Sequence, residues 1–190
     1  METKKVKRFV YEGLGFPIAL VNVSVVKKRG VWTPAVNYSK LQKEVLLALV
    51  HKTVALTGNE IHFIRTHFEM TLESFGKNFG VTHVAVLTWE KMNNKPAKIN
   101  PATELCIRLF ILDKLHTSNQ IFRKVFREFD FTGIAKSSSL KTDKPITLYK
   151  SPTRHPANSE DRDISDSELR PIVRKRIAEN HDILKRLSKK

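Results

Sequence analysis

Thr82, His83, Val84, Leu87 and Thr88 lie within seven residues of one another, and helical spacing turns all five to the same side of a short segment. Hydroxyl, imidazole and methyl groups on one such face suit the edges of base pairs in a DNA major groove. His83 and Thr88 offer hydrogen bonds, while Val84 and Leu87 offer van der Waals contact to thymine methyls. Around this face stand Lys77, Asn78, Thr82, Lys91, Asn93, Asn94 and Lys95, whose ammonium, amide and hydroxyl groups are candidates for contact with phosphate. His83 also has a plainer reading as a solvated group at a helix start, and Leu87 one as a residue that packs on a neighbouring element.

Such side chains work only if the segment carrying them is held rigidly outward. Residues 70–90 have the layout this requires. Thr71 caps a helix containing Ser74, Phe75 and Phe79, Gly80 ends it, Val81 plugs the turn, and Thr82 caps a second helix in which Val86 and Trp89 face the core. Gly76 and Ala85 are small enough to let the two helices approach closely. Upstream, Thr57 with Glu60 three residues on forms a capping box for a helix with Ile61, Ile64 and Phe68 inward. Downstream, Asn100 and Pro101 open a helix with Leu105, Leu109 and Leu112 on one face. The plain alternative to a helix-turn-helix is a helical bundle with accidental caps.

Either side of this helical middle the pattern changes. Residues 6–12 and 16–26 read as two strands around a Gly13-Leu14-Gly15 turn, residues 30–34 break the pattern, and residues 38–52 form a helix capped by Asn37 or Ser39. After Leu115, residues 118–129 predict a helix with Ile121, Phe122, Val125 and Phe129 on one side, and residues 146–149 a short strand. Residues 151–167 read as a linker, and residues 168–190 as a basic amphipathic helix that is a solvated tail, a second DNA contact or a partner-binding element.

Charge points the same way as the candidate face. The 190 residues carry a net charge of +15, which implies a polyanionic partner. Residues 1–50 hold nine basic against three acidic side chains, a net of +6; residues 51–115 are nearly balanced at +2; residues 116–190 return to +7. The one cysteine, Cys106, excludes an internal disulfide and any zinc site built on paired cysteines. No apolar run approaches the roughly 18 residues of a membrane span, and the start of the chain shows no signal-peptide pattern, so a cytoplasmic, nucleoid-associated protein with no membrane partner is expected.

The residues of the middle segment carry a resemblance. Residues 57–96 resemble the Xre/Cro-type helix-turn-helix family in Arg65 at the end of the first helix, in Val81-Thr82 at the turn and cap, and in the closing Trp89-Glu90. More broadly, residues 6–115 are similar to the MqsA/YgiT-type antitoxin regulators, through Tyr11-Glu12-Gly13, the helix that follows Asn37-Tyr38, Leu56-Thr57-Gly58-Asn59-Glu60-Ile61 and Leu112-Asp113-Lys114. That resemblance implies operator binding as a homodimer and a toxin protein as a further partner. The chain departs from the family in three ways. The Cys-x-x-Cys zinc ligands are missing, Leu72 stands where a Gln is often found, and the family's base-reading Asn and Arg fall on Val84 and Thr88.

Other constellations fail on geometry. Gly13-Leu14-Gly15-Phe16-Pro17 superficially matches the start of a dinucleotide fingerprint but sits in a hairpin without a helix N-terminus. The seven histidines, at 51, 62, 67, 83, 116, 155 and 181, offer no metal-ligand spacing. Ser138 and Lys141 would be a serine/lysine dyad only in a longer, strand-rich domain. The expectation is therefore a DNA-binding transcriptional regulator, antitoxin-like, with no enzymatic activity, no metal and no cofactor. A toxin-sequestering interaction protein and a nonspecific nucleic-acid binder are the alternatives. The fold class expected is α+β, mostly α: a small β module at 1–36, a five-helix Xre/Cro-like domain at 37–115, a helix and short strand at 116–150, and the basic extension at 151–190.

Overall fold

A computed structural model of the protein describes residues 2–137 and 145–149. The Ser138–Lys141 loop, the linker at 151–167 and the basic helix at 168–190 lie outside the described residues. Within them the chain is α+β, with about half of the residues in seven helices and a small sheet built mainly at the N-terminus. Strands β1 (Thr3–Tyr11) and β2 (Ile18–Lys28) pair antiparallel with Tyr11 opposite Ile18 and Thr3 opposite Val26. The Val-, Ile- and Phe-rich runs expected to form a hairpin do so.

Residues 30–34, expected to break the strand pattern, instead supply β3 (Val31–Pro34), antiparallel to the far end of β2. Arg29 and Gly30 join the two strands with φ of 49° and 83°. A two-residue loop with positive φ at both positions matches the twist of the flanking strands, and the signal was masked because Arg, not Asn or Asp, precedes the glycine. Beside β3, on the same edge of β2, runs β4 (Ile146–Tyr149), parallel to β2 with Ile146 opposite Ile18. The sheet thus draws on both ends of the described chain.

Helix α1 (Tyr38–Val50) is capped by Asn37, whose side chain accepts from the Lys40 N–H, and packs beside β4 and α5 (Pro101–Lys114). Leu41, Val45, Leu46 and Leu49 on α1 and Leu105, Ile107, Leu109, Ile111 and Leu112 on α5 are buried in one core with Ile18, Leu20, Val23 and Val25 of the sheet. Helices α2 (Gly58–His67), α3 (Leu72–Phe79) and α4 (His83–Glu90) close over the other side of α5. There Phe68, Phe75, Phe79 and Phe110 meet edge to face, with centroids 4.9 to 6.4 Å apart, a geometry favoured by the ring quadrupoles.

Helix α6 (Asn119–Glu128) appears where expected, with Val125 buried. Ile121, expected beside Val125, is instead exposed, because the helix offers α5 a stripe too narrow to include it. Phe129 leaves the helix in extended conformation, and a further helix not foreseen in the sequence, α7 (Phe131–Ser137), follows. The Ser137 hydroxyl accepts from the buried Ala55 N–H at 2.8 Å, a tie across 82 residues that no local pattern reports.

Helix α5 carries a buried ionic group that faces the end of α1. Arg108 donates to the carbonyls of Val50 (3.1 Å), Lys52 and Val54 (3.0 Å), and to Glu104 at 2.6 Å. Glu104 also accepts from the Leu56 N–H at 3.2 Å. Burial nevertheless pushes the Glu104 carboxyl up, against the pull of Arg108. Arg108 and Glu104 together therefore hold the loop at residues 50–56 onto α5.

Candidate nucleic-acid interface

Each of the three helices around the candidate face starts at the threonine that the sequence nominates. Thr57 accepts from the Glu60 N–H while Glu60 accepts in return from the Thr57 N–H at 2.8 Å. Thr71 accepts from Ser74 N–H at 3.0 Å and Thr82 from Ala85 N–H at 3.2 Å. Capping satisfies backbone donors that a helix start otherwise leaves open. Gly80 ends α3 in the left-handed region at φ 67°, where glycine carries no Cβ penalty.

The turn is as tight as the small residues allow. The Val81 N–H bonds the Gly76 carbonyl at 3.0 Å, and a Cβ added to Gly76 would stand 2.6 Å from the Val81 carbonyl oxygen. Val81 is half-buried against the core and Val86 fully buried, whereas Trp89, expected in the core, is only half-buried.

On the opposite side of α4 the structure brings together the residues singled out for base contact. His83 and Thr88 are exposed, Val84 is 55% exposed and Leu87 37%. The Thr88 hydroxyl donates to the Val84 carbonyl at 2.8 Å, so its outward lone pairs remain available as acceptors. Val84 and Leu87 are two of the few large aliphatic side chains that the described fold leaves exposed.

The candidate phosphate ligands ring this face and are all exposed, but not all are free. Lys77 pairs with Glu73 one turn earlier at 2.9 Å, and this bond holds the exposed Glu73 carboxyl below its ordinary range. The Asn78 amide donates to the Ser74 carbonyl at 2.8 Å, Thr82 is occupied by its cap, and the Asn93 amide donates to the Lys91 carbonyl at 3.2 Å. Asn94 accepts from the Asn59 amide at 2.9 Å, and Asn59 also donates to the Gly15 carbonyl at 2.7 Å. Lys91 and Lys95 extend from the turn that follows α4 with no ion pair among the described residues.

That turn is pinned from behind. Asn93 adopts φ 53°, a conformation asparagine tolerates. Its carbonyl accepts from the Asn59 N–H at 2.8 Å, and the Lys95 carbonyl accepts from the Gly58 N–H at 3.2 Å, so the chain after α4 satisfies the open donors at the start of α2. A Cβ on Gly58 would lie 2.5 to 2.7 Å from backbone atoms of Trp89, Glu90 and Asn93.

A second clamp joins the C-terminal half of α2 to the last residue of α4. Arg65 holds Glu90 through two nitrogens, at 2.6 and 3.0 Å, and donates to the Met70 carbonyl at 2.8 Å, while His62 meets Glu90 at 2.9 Å. Burial alone would raise the Glu90 carboxyl, but the bonds from Arg65 and His62 win and hold it below the usual glutamate range. Arg65 and Glu90 were legible only through resemblance, and the parts played by Asn59 and His62 have no sequence signal, because both depend on a partner about 30 residues away.

Among the described residues no three His, Cys, Asp or Glu side chains gather as metal ligands, and no helix is long and apolar enough to cross a membrane. No family model, curated protein or solved structure matches the chain.

Proposed function

We propose that the protein is a DNA-binding transcriptional regulator that inserts α4 into the major groove, with α3 and α4 acting as a helix-turn-helix of the Xre/Cro type. The observation that carries the reading is the two-faced α4. Val86 is buried and Arg65 clamps Glu90 behind it, while His83, Val84, Leu87 and Thr88 stand exposed in front. Among the described residues, two aliphatic side chains stay exposed on the face opposite this clamp. The net charge of +15 supplies the attraction to a polyanion. His83 and Thr88 contribute hydrogen bonds to base edges, Val84 and Leu87 contact thymine methyls, and Lys91 and Lys95 reach phosphate. A homodimer would place two such helices on half-sites about one helical turn, or a multiple of it, apart.

The test is a fluorescence-anisotropy titration at fixed salt against the DNA upstream of the protein's own gene and a scrambled duplex of equal length. Binding at least about a thousandfold tighter to its own DNA is expected of a specific regulator, and Leu87→Asp should remove the preference. Equal binding to both duplexes would reject sequence-specific regulation. The exposed Val84 and Leu87 favour that second outcome, a nonspecific binder, more than a bidentate Asn or Arg at those places would. Sequestration of a toxin through the metal-free sheet is the third reading, and a stable complex with a toxin encoded beside the gene would establish it.

A further inference from the structure

The candidate interface is poor in free cations: Lys77 is committed to Glu73, leaving Lys91 and Lys95 beside α4. A protein that contacts about 6–10 phosphates binds DNA with a steep salt dependence, and among the described residues the two lysines beside α4 supply few such contacts. Among the described residues, a denser group of exposed basic side chains stands on the sheet. Lys5, Lys7 and Arg8 on β1 and Lys28 and Arg29 at the β2–β3 turn are all exposed, and none forms an ion pair among the described residues. Beside them Lys4 and Lys27 lie over the ring of Trp32, at 4.1 and 5.8 Å from its centroid. The carboxylates on this hairpin are Glu2, engaged with Lys27 at 3.5 Å, and Glu12 at the opposite end.

We propose that this end of the hairpin is a second phosphate-binding surface, which grips duplex DNA beyond the segment that α4 reads. The inference rests on the proposed action of α4. Position and charge support it. The hairpin turn is tied to the loop after α4 through Asn59, which bonds both Gly15 and Asn94. From Glu12 back to Lys5 the strand runs about 23 Å at its usual rise, less than one turn of B-DNA. Charge complementarity also selects the occupant. Strand β1 pairs only with β2, leaving a free edge among the described residues, but a second copy of β1 added there would set lysines against lysines, the arrangement by which natural edges repel one another. Trp32 is half-buried and already covered by Lys4 and Lys27, so backbone phosphate rather than a stacked base fits the surface.

The test compares the salt dependence of binding to a duplex of about 14 base pairs, enough for one recognition helix, with that to one of about 40. Lys5→Gln/Lys7→Gln/Arg8→Gln/Lys28→Gln should lower the slope of log K against log salt by about 3 to 4 on the long duplex and leave the short one unchanged. The charge-preserving Lys5→Arg/Lys7→Arg/Arg8→Lys/Lys28→Arg should retain the wild-type slope. An unchanged slope in the glutamine variant, an equal loss in the charge-preserving one, or no binding by the wild type would overturn the proposal. Leu87→Asp separates the two surfaces. If it abolishes short-duplex binding while the glutamine variant behaves as wild type, the reading of α4 stands and the hairpin fails. If Leu87→Asp is silent while the glutamine variant loses slope, the hairpin binds phosphate but the reading of α4 fails, and the two-surface grip fails with it.

Discussion

Gly58→Ala isolates the contact that fixes the angle between α2 and α4. The added methyl would sit 2.5 Å from the Trp89 carbonyl oxygen, 2.7 Å from the Glu90 carbonyl oxygen and 2.7 Å from the Asn93 nitrogen. All three atoms are backbone, so no side-chain rotation relieves the overlap. Either α4 moves off α2 or α2 loses its first turn. Alanine by itself would favour a helix over glycine by about 0.5–1 kcal/mol. Overpacking a tight site costs about 1–3 kcal/mol. At mid-range the clash wins, and the net expectation is a loss of about 1 kcal/mol, which in a chain of this size lowers Tm by about 2–4 °C. Because Asn59 N–H and Gly58 N–H bond the turn after α4, the loss should be accompanied by faster hydrogen exchange at these two amides than elsewhere in α2. Thermal and urea unfolding followed by circular dichroism gives the magnitude. A variant as stable as the wild type, with unchanged exchange, would refute the close approach of the two helices.

Three further outcomes follow from the ionic groups and the cysteine. Glu90, held below its ordinary range by Arg65 and His62, contributes stability that is complete above the unfolded-state value of about 4.3 and fades as pH falls through the lower folded value. Glu90→Gln should flatten that acid limb in urea melts taken across pH, and an unchanged limb would assign it to other carboxylates. Arg108→Met strands the buried Glu104 and leaves the carbonyls of Val50, Lys52 and Val54 without their donor, so a loss of about 3–5 kcal/mol is expected; a change below about 1 kcal/mol would show that the pair is dispensable. Cys106, its thiol pushed up by burial, should react with iodoacetamide at pH 7 far more slowly in the folded chain than in denaturant, and equal rates would contradict that burial.

What could be read locally was read where a residue acts on its own backbone. Asn37, Thr57, Thr71, Thr82 and Asn100 each cap the helix they announce, and Gly80 ends α3 in the left-handed conformation. Helical period also separated buried Val86 from exposed Val84 and Leu87. These signals span three or four residues, and their physics, a hydroxyl meeting an N–H or an apolar stripe meeting a core, is complete within that span. Ile121 shows the limit: period put it beside Val125, but how wide a stripe is buried depends on the partner helix.

Everything that joins distant segments was decided by the tertiary structure. The sequence marked residues 146–149 as a strand but held no information on its partner, because a parallel pairing with β2 across more than a hundred residues is chosen by the shared core and not by the strand itself. Strand β3 finds its partner on β2, and α7 is tied through Ser137 to the buried Ala55 N–H. In the candidate interface the division is the same. The amino-acid order determined which side chains α4 turns outward and set Lys77 and Asn78 one turn from Glu73 and Ser74; only the fold decided that Asn94 meets Asn59 and that Arg65 reaches Glu90. A side chain's chemistry is carried by its type, but its availability depends on neighbours that the chain brings to it only by folding.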